Sequence, residues 1–178
     1  MFILALIGAI IIGYLMKGNI QNLSNITLKG MYLIGIAFFI EFIIILLINK
    51  GIINPSINTY IANIIMYLFI FTFIFINKKN PYIVLMGVGF FLNAIAIFSN
   101  SGTMPVSGQA IEAIGFSPNV QGEGLYNIIN SQTNLRFLGD IIPLDFIGRF
   151  IVSIGDILSA IGMMLFIITS MKKQQKID

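Results

Sequence analysis

Long apolar runs dominate the sequence and limit it to folds whose surroundings are largely hydrocarbon. A helix rises about 1.5 Å per residue, so about 20 apolar residues cross the roughly 30 Å core of a bilayer. In lipid, backbone polar groups must be bonded internally, and each such run is therefore predicted to be a transmembrane helix. Five runs are long enough to consider, at about 2–16, 31–49, 57–77, 82–99 and 150–171.

The composition agrees with this interpretation. Hydrophobic residues make up 57% of the 178 residues and charged residues only 10%, whereas a soluble domain is about a quarter charged. The chain contains no cysteine and no histidine, which excludes disulfides, thiolate or imidazole metal sites and Ser-His or Cys-His dyads. We expect no cofactor and no metal. We also expect no nucleic-acid binding, because the cations form no patch with interleaved aromatic residues.

The positions of Lys and Arg predict the orientation of the five spans. Cytoplasmic loops of membrane proteins carry an excess of these residues. We therefore expect a single membrane domain over residues 1–178, in the inner membrane of a bacterial cell, with the N-terminus outside and the C-terminus in the cytoplasm. The expected partners are membrane lipids and other membrane proteins or further copies of the chain. In this orientation the inner side holds Lys17, Lys29, Lys78, Lys79, Lys172, Lys173 and Lys176, and the outer side holds Lys50, Arg136 and Arg149.

Residues 100–149 interrupt the pattern as a long, outward-facing loop. Long loops without structure are uncommon, and the stretches 109–116, 125–129 and 137–146 contain enough Ile, Leu and Phe to be buried. The segment also contains Pro105, Pro118 and Pro143. We expect a folded outer cap of short interfacial helices. The predicted fold class is thus an all-α, polytopic transmembrane bundle of about five spans with a structured cap between the fourth and fifth.

Two aspartates stand in apolar surroundings near the predicted outer surface. Asp156 lies inside the last span and shares a helical face with Ser153; ionisable groups in spans usually face the bundle interior. It is interpreted either as a residue that caps a kinked helix start or bonds a neighbouring helix, or as a site residue. Asp140 either pairs with Arg136 or folds down to meet Asp156. In the second case one carboxyl would keep a proton, and the two could divide acid and base roles.

Other polar residues are predicted to extend this site. Glu41, midway along the second span, is expected to be a protonated donor to Asn63 or Tyr67, or part of a proton-linked site. Amides inside spans more often join helices than bind ligands. The remaining candidates lie on the fourth span and in the turn that opens the cap, and they are Asn93, Asn100, Met104, Pro105 and Ser107.

Three motifs lie in the second half of the chain: Asn100-Ser-Gly-x-Met-Pro-Val-Ser107, Leu138-Gly-Asp-x-Ile-Pro143 and Ser153-Ile-Gly-Asp156. Together they resemble a bacterial domain-of-unknown-function family of uncharacterised five-span inner-membrane proteins. The resemblance covers essentially the whole chain and implies no particular activity. Locally, the segment around Asp156 is similar to the Gly-x-Gly-Asp helix of intramembrane aspartyl proteases and to the last span of lipoprotein signal peptidases. That similarity implies Asp140 as the second aspartate.

These features favour a small, non-catalytic membrane component with a polar site near the outer face. Its role would be in transport, in lipid or ligand binding, or in assembly. One alternative is an intramembrane aspartyl hydrolase or peptidase that uses Asp140 and Asp156. A second is a proton-linked channel or transporter that uses Glu41.

Overall fold

The computed structural model describes residues 1–115, 125–145 and 148–172. Some predicted features lie outside the described residues: the ends of two apolar cap stretches at 116 and 146, together with Pro118, Lys173 and Lys176.

The long helices follow the predicted runs closely. They are α1 (Phe2–Leu15), α2 (Met31–Asn49), α3 (Pro55–Ile76) and α4 (Pro81–Ser99), followed in the cap by the short α5 (Gly108–Ala113) and then by α6 (Ile154–Lys172). In the described part of the chain, α2, α3, α4 and α6 are long and apolar enough to cross a membrane. The first helix has 14 residues and is shorter than a standard span. The structure thus has four helices of spanning length where five spans were predicted.

The two ends of the bundle differ in charge. Lysines cluster at the end where α1, α3 and α6 finish and α2 begins. We call this the basic end, and its lysines include Lys17, Lys29, Lys78 and Lys172. Asn19 N–H donates to the Met171 carbonyl (2.9 Å), and this bond fixes the end of α1 to the end of α6. The cap lies at the opposite end, which we call the cap end.

The helix α6 packs between α1 and α4, while α2 packs on α3. Small residues allow α4 and α6 to approach closely, because a Cβ on Gly89 would overlap the Gly155 carbonyl and the Ser159 hydroxyl. Such small-residue contacts are typical of helix pairs in membranes. The outward faces of the helices remain apolar and exposed, as at Phe39 (63% exposed) and Leu68 (63% exposed). Large exposed apolar surfaces of this kind mark contact with lipid or protein.

The last long helix begins later than predicted. Residues Phe150–Val152 form strand β4, and α6 starts at Ile154. Ser153 and Asp156 make a capping box, in which the Asp156 N–H donates to Ser153 Oγ (2.9 Å) and the Ser153 N–H donates to Asp156 Oδ2 (3.2 Å). Asp156 therefore lies in the first turn of the helix and not deep inside a span.

The cap contains strands as well as helix, so the all-α prediction is wrong in this region. Strand β1 (Met104–Val106) pairs in parallel with β2 (Tyr126–Ile128). Strand β3 (Ile142–Leu144) pairs antiparallel with β4. The only helical pieces among the described cap residues are α5 and a 3-10 turn at Arg136–Leu138. The buried Leu138 packs on Ala96 and Met104, and this contact holds the cap against the end of α4.

Candidate functional site

A cavity of about 230 Å³ lies beneath the cap, where α4 ends and α6 begins. We call it the outer cavity. Both α2 and α3 contribute to its walls, and residues of the cap line it from above. Its described lining residues are Phe2, Phe38, Glu41, Asn63, Met66, Tyr67, Ile70, Phe90, Asn93, Ile97, Met104, Leu125, Tyr126, Asp140 and Asp156.

Asp156 is held in the cavity wall by a network that joins α4 to α6. Asn93 Nδ2 donates to Asp156 Oδ1 (2.9 Å), and Ser153 Oγ donates to Asn93 Oδ1 (2.7 Å). With the capping bond from the Ser153 N–H, both oxygens of Asp156 accept hydrogen bonds. Asp156 thus both caps its own helix and bonds a neighbouring one.

Asp140 reaches the same cavity from the cap. Its N–H donates to the Pro105 carbonyl (2.8 Å), and its own carbonyl accepts from the Ser107 N–H (2.9 Å). These bonds make a parallel bridge to Val106. Gly139 permits the close approach, since a Cβ there would lie 2.5 Å from the Pro105 carbonyl oxygen. The backbone of Asp140 is therefore fixed against β1.

The side chain of Asp140 is buried and incompletely bonded. It is 7% exposed, and its Oδ1 has no hydrogen-bond partner among the described residues. Burial first, and then the nearby charge of Asp156, raise the pKa of Asp140 from 3.8 to about 8. At neutral pH the Asp140 carboxyl therefore carries a proton while facing Asp156 across a shared cavity.

Glu41 and two α3 residues complete the polar lining. Glu41 is half-buried and, in the described part of the chain, accepts or donates no hydrogen bond, so its predicted bond to Asn63 or Tyr67 is absent. Asn63 Nδ2 instead donates to the Gly102 carbonyl (2.9 Å) and ties α3 to the cap. This turn needs the left-handed conformation at Ser101 and Gly102 (φ 57° and 84°).

Four of the predicted site residues shape the cap without facing the outer cavity. Asn100 Oδ1 accepts from the Asn134 N–H, and Asn100 Nδ2 donates to the Asn134 carbonyl (2.9 Å each). Pro105 is fully buried, and Ser107 caps α5 through its hydroxyl. Arg136 is exposed and donates to the Ser131 carbonyl (3.0 Å). The predicted ion pair between Arg136 and Asp140 is not formed among the described residues.

The aromatic walls of the outer cavity were not anticipated from the sequence. Phe2 stacks on Phe90 with ring centroids 6.3 Å apart, and Phe38, Tyr67 and Tyr126 also line the space. A phenylalanine in an apolar span carries no signal that separates a cavity wall from a lipid-facing position. Tyr126 comes from β2, which pairs with β1 far from it in the sequence.

The lining has an uncompensated acidic character. Three carboxyl groups face the cavity, and neither Lys nor Arg is among its described lining residues. The three are spread around the space, and in the described part of the chain no three carboxylate-type ligands come close enough to share one metal ion. An acidic lining of this kind can attract a positively charged group or pass protons between its carboxyls.

Comparisons with known proteins place the chain in a family. A protein of Thermotoga maritima, described as an uncharacterized protein, is 28% identical over 156 residues that cover 86% of this chain and 83% of the relative. No solved structure matches. Neither the relative nor the family description names an activity, so they give no support to the similarity with aspartyl proteases and signal peptidases. The model of DUF5317, a family of unknown function, matches residues 25–168, and the chain belongs to this family.

Proposed function

We propose that the chain is a multi-pass membrane protein whose outer cavity binds a small organic cation. The membrane setting is supported by the four long apolar helices and by their exposed apolar faces. The orientation with the cap outside is supported by the cluster of lysines at the basic end, since cytoplasmic loops are rich in Lys and Arg.

The observation that carries the ligand class is the buried, unpartnered Oδ1 of Asp140 in an acidic cavity without a lining cation. A buried carboxylate is costly unless it is paired. An ammonium group between Asp140 and Asp156 would supply the missing partner and offset the repulsion between them. The aromatic walls favour the same ligand, because the faces of Phe and Tyr rings attract cations within about 6 Å.

Each carboxyl has a distinct part in this binding. Asp156 is held in place by Asn93 and Ser153 and presents its carboxyl group to the cavity. Asp140 gives up its proton when a cation arrives, so binding is coupled to proton release. Glu41 on α2 supplies the third carboxyl of the lining.

Binding can be tested with n-butylammonium and tetraethylammonium, using n-butanol as an uncharged control of similar size. The purified chain is kept in a maltoside detergent, which carries no quaternary ammonium, and heat is measured by titration calorimetry. Asp140→Asn and Asp156→Asn should each weaken cation binding roughly tenfold or more, because hydrogen bonds to a charged partner contribute about 1.5–3 kcal/mol. Asp145→Asn is the matched control, since Asp145 is an exposed cap residue.

The pH supplies an independent readout. Because a cation competes with the Asp140 proton, its affinity should rise with pH by roughly tenfold per unit below about pH 8. Asp140→Asn should remove this dependence. Equal binding of n-butanol and n-butylammonium, or an Asp156→Asn variant that binds cations as well as the parent does, would refute the proposal.

A second candidate is an outward-facing aspartyl hydrolase, favoured by the contrast between the two aspartates. Asp156 accepts hydrogen bonds on both oxygens, while Asp140 holds a proton at neutral pH, as an acid requires. Pairs of carboxyls whose environments push their pKa values apart are a recurring acid–base arrangement.

The hydrolase is tested by comparing protein N-termini in membranes from cells that express the parent chain, Asp140→Asn, Asp156→Asn or the exposed control Glu112→Gln. Cleaved products that disappear in both aspartate variants, and persist in the control, would establish hydrolysis. An unchanged set of N-termini would leave cation binding as the function of the cavity.

A further inference from the structure

A second cavity lies at the opposite end of the molecule from the acidic one. It has a volume of about 520 Å³ and is formed where the segment between α1 and α2 meets the end of α3 and the turn between α3 and α4. We call it the basic cavity. Its described lining residues are Asn22, Asn25, Ile26, Thr27, Leu28, Lys29, Ile76, Asn77, Lys79 and Asn80.

The charge of the basic cavity is the reverse of that of the outer cavity. Lys29 and Lys79 line it, and none of its described lining residues is acidic. Neither ammonium group pairs with a carboxylate in the part of the chain that the structure describes. Asn25, Asn80 and Thr27 add neutral hydrogen-bond donors around the two cations, whereas the Nδ2 groups of Asn22 and Asn77 donate to backbone carbonyls. This donor set is complementary to the oxygens of a phosphate group.

The walls of the basic cavity are fixed by hydrogen bonds across it. Asn77 Nδ2 donates to the Lys29 carbonyl (2.8 Å), and the Lys29 N–H donates to Asn77 Oδ1 (3.1 Å). Asn22 Nδ2 donates to the Met171 carbonyl (2.7 Å) and secures the other wall to the end of α6. The backbone of Lys29 is thereby fixed to Asn77, two residues before Lys79 in the chain.

The lining is also amphiphilic. Ile26, Leu28 and Ile76 lie beside the cations and amides. Ile76 (43% exposed) continues onto the apolar outer face of α3, where Phe75 is 67% exposed. A ligand that fits both parts has a phosphate group joined to an apolar chain.

We propose that the basic cavity binds the head group of an anionic phospholipid, with its phosphate between Lys29 and Lys79 and its acyl chains along α3. Basic cavities between helices on the cytoplasmic side of membranes hold such head groups. The site is separate from the outer cavity and does not depend on the function of that cavity.

The experiment is native mass spectrometry of the full chain, released from detergent with phosphatidylglycerol or phosphatidylcholine. Phosphatidylglycerol should bind preferentially to the parent chain. Lys29→Gln with Lys79→Gln should weaken it by roughly thirtyfold, the factor expected for two juxtamembrane lysines at an anionic lipid. The control is Lys50→Gln with Arg149→Gln, which removes the same charge from exposed positions at the cap end.

Two further arms separate the possible sources of the phosphate and guard against misfolding. Lys29→Arg with Lys79→Arg keeps both charges and should retain the preference for phosphatidylglycerol. If substitution at these positions merely disrupted the fold, this variant would lose the preference too. Inorganic phosphate at millimolar concentration should not displace the lipid. Displacement by inorganic phosphate would overturn the assignment to a lipid. An equal loss of binding in the cap-end control would refute the site, because the loss would then follow from the net charge of the chain.

Discussion

At the scale of single residues, the chain assigns different environments to two aspartates in one cavity. Asp156 accepts hydrogen bonds on both oxygens, from Ser153 close in sequence and from Asn93 on the facing helix. The spacing Ser153-x-x-Asp156 is typical of a capping box at a helix N-terminus. Asp140 has its backbone fixed and its side chain left open. The sequence motifs suggested that these residues belong together, but the absent bond of Glu41 and the exposed position of Arg136 depend on packing that no local pattern encodes.

The raised pKa of Asp140 predicts how stability depends on pH. The folded chain holds a proton at Asp140 up to about pH 8, whereas a freely exposed Asp releases it near its ordinary pKa of 3.8. The unfolded chain thus binds fewer protons between these values, and stability should fall as pH rises through this window. The neighbouring groups that face Asp140 across the cavity are Asp156, Glu41, Tyr67 and Tyr126.

This dependence is measured by thermal unfolding in detergent from pH 5 to pH 9. Asp140→Asn keeps a neutral side chain at every pH, so its melting temperature should be nearly flat and should exceed that of the parent above pH 8. The exposed variant Asp145→Asn should follow the parent curve. A parent protein whose melting temperature rises between pH 5 and pH 8 would contradict the assignment of the proton to Asp140.

At the scale of elements, the apolar runs predicted the long helices well and the cap poorly. Helices α2, α3 and α4 begin and end within two residues of the predicted limits because length and hydropathy alone define a spanning helix. The strands of the cap depend on pairing between distant segments, such as Met104 with Tyr126. The apolar residues Phe150–Val152 fit a strand and a helix equally well, and the pairing with β3 decides between them.

The contact between α4 and α6 predicts that alanine substitution will lower stability at one glycine and not at another. Gly89→Ala would push a Cβ into the Gly155 carbonyl and Ser159, and the strain should cost about 1–3 kcal/mol. Gly35→Ala on α2 is the matched control, because no atom lies within 4 Å of the added Cβ. The comparison uses unfolding in mixtures of maltoside and dodecyl sulfate. Equal midpoints for the two variants would show that the helices can separate without cost.

At the scale of the whole molecule, the two cavities lie at opposite ends and carry opposite charge. The outer cavity presents carboxyls and the basic cavity presents lysines. In the proposed orientation, with the basic end in the cytoplasm, the proposed cation site would face the outside and the proposed lipid site would face the inner leaflet. The orientation of the chain therefore determines which solution reaches each site.

The orientation can be measured by labelling single introduced cysteines, because the chain itself has no cysteine that would react. Lys50→Cys at the cap end should react with a membrane-impermeant maleimide on intact cells. Lys78→Cys at the basic end should react only after the membrane is permeabilised. Both positions are exposed, so a failure to react would reflect the side of the membrane. The reverse pattern would place the outer cavity on the cytoplasmic side.

The first helix has a consequence for the shape of a guest. Its fourteen residues make a rod of about 21 Å, which Asn19 anchors to Met171 at the lysine-rich end. Its other end brings Phe2 onto Phe90 in the wall of the outer cavity. If the cavity binds an amine as proposed, the apolar part of that amine would rest on this stacked pair while its ammonium group faces the carboxyls. An alkylammonium would then bind more tightly than ammonium itself.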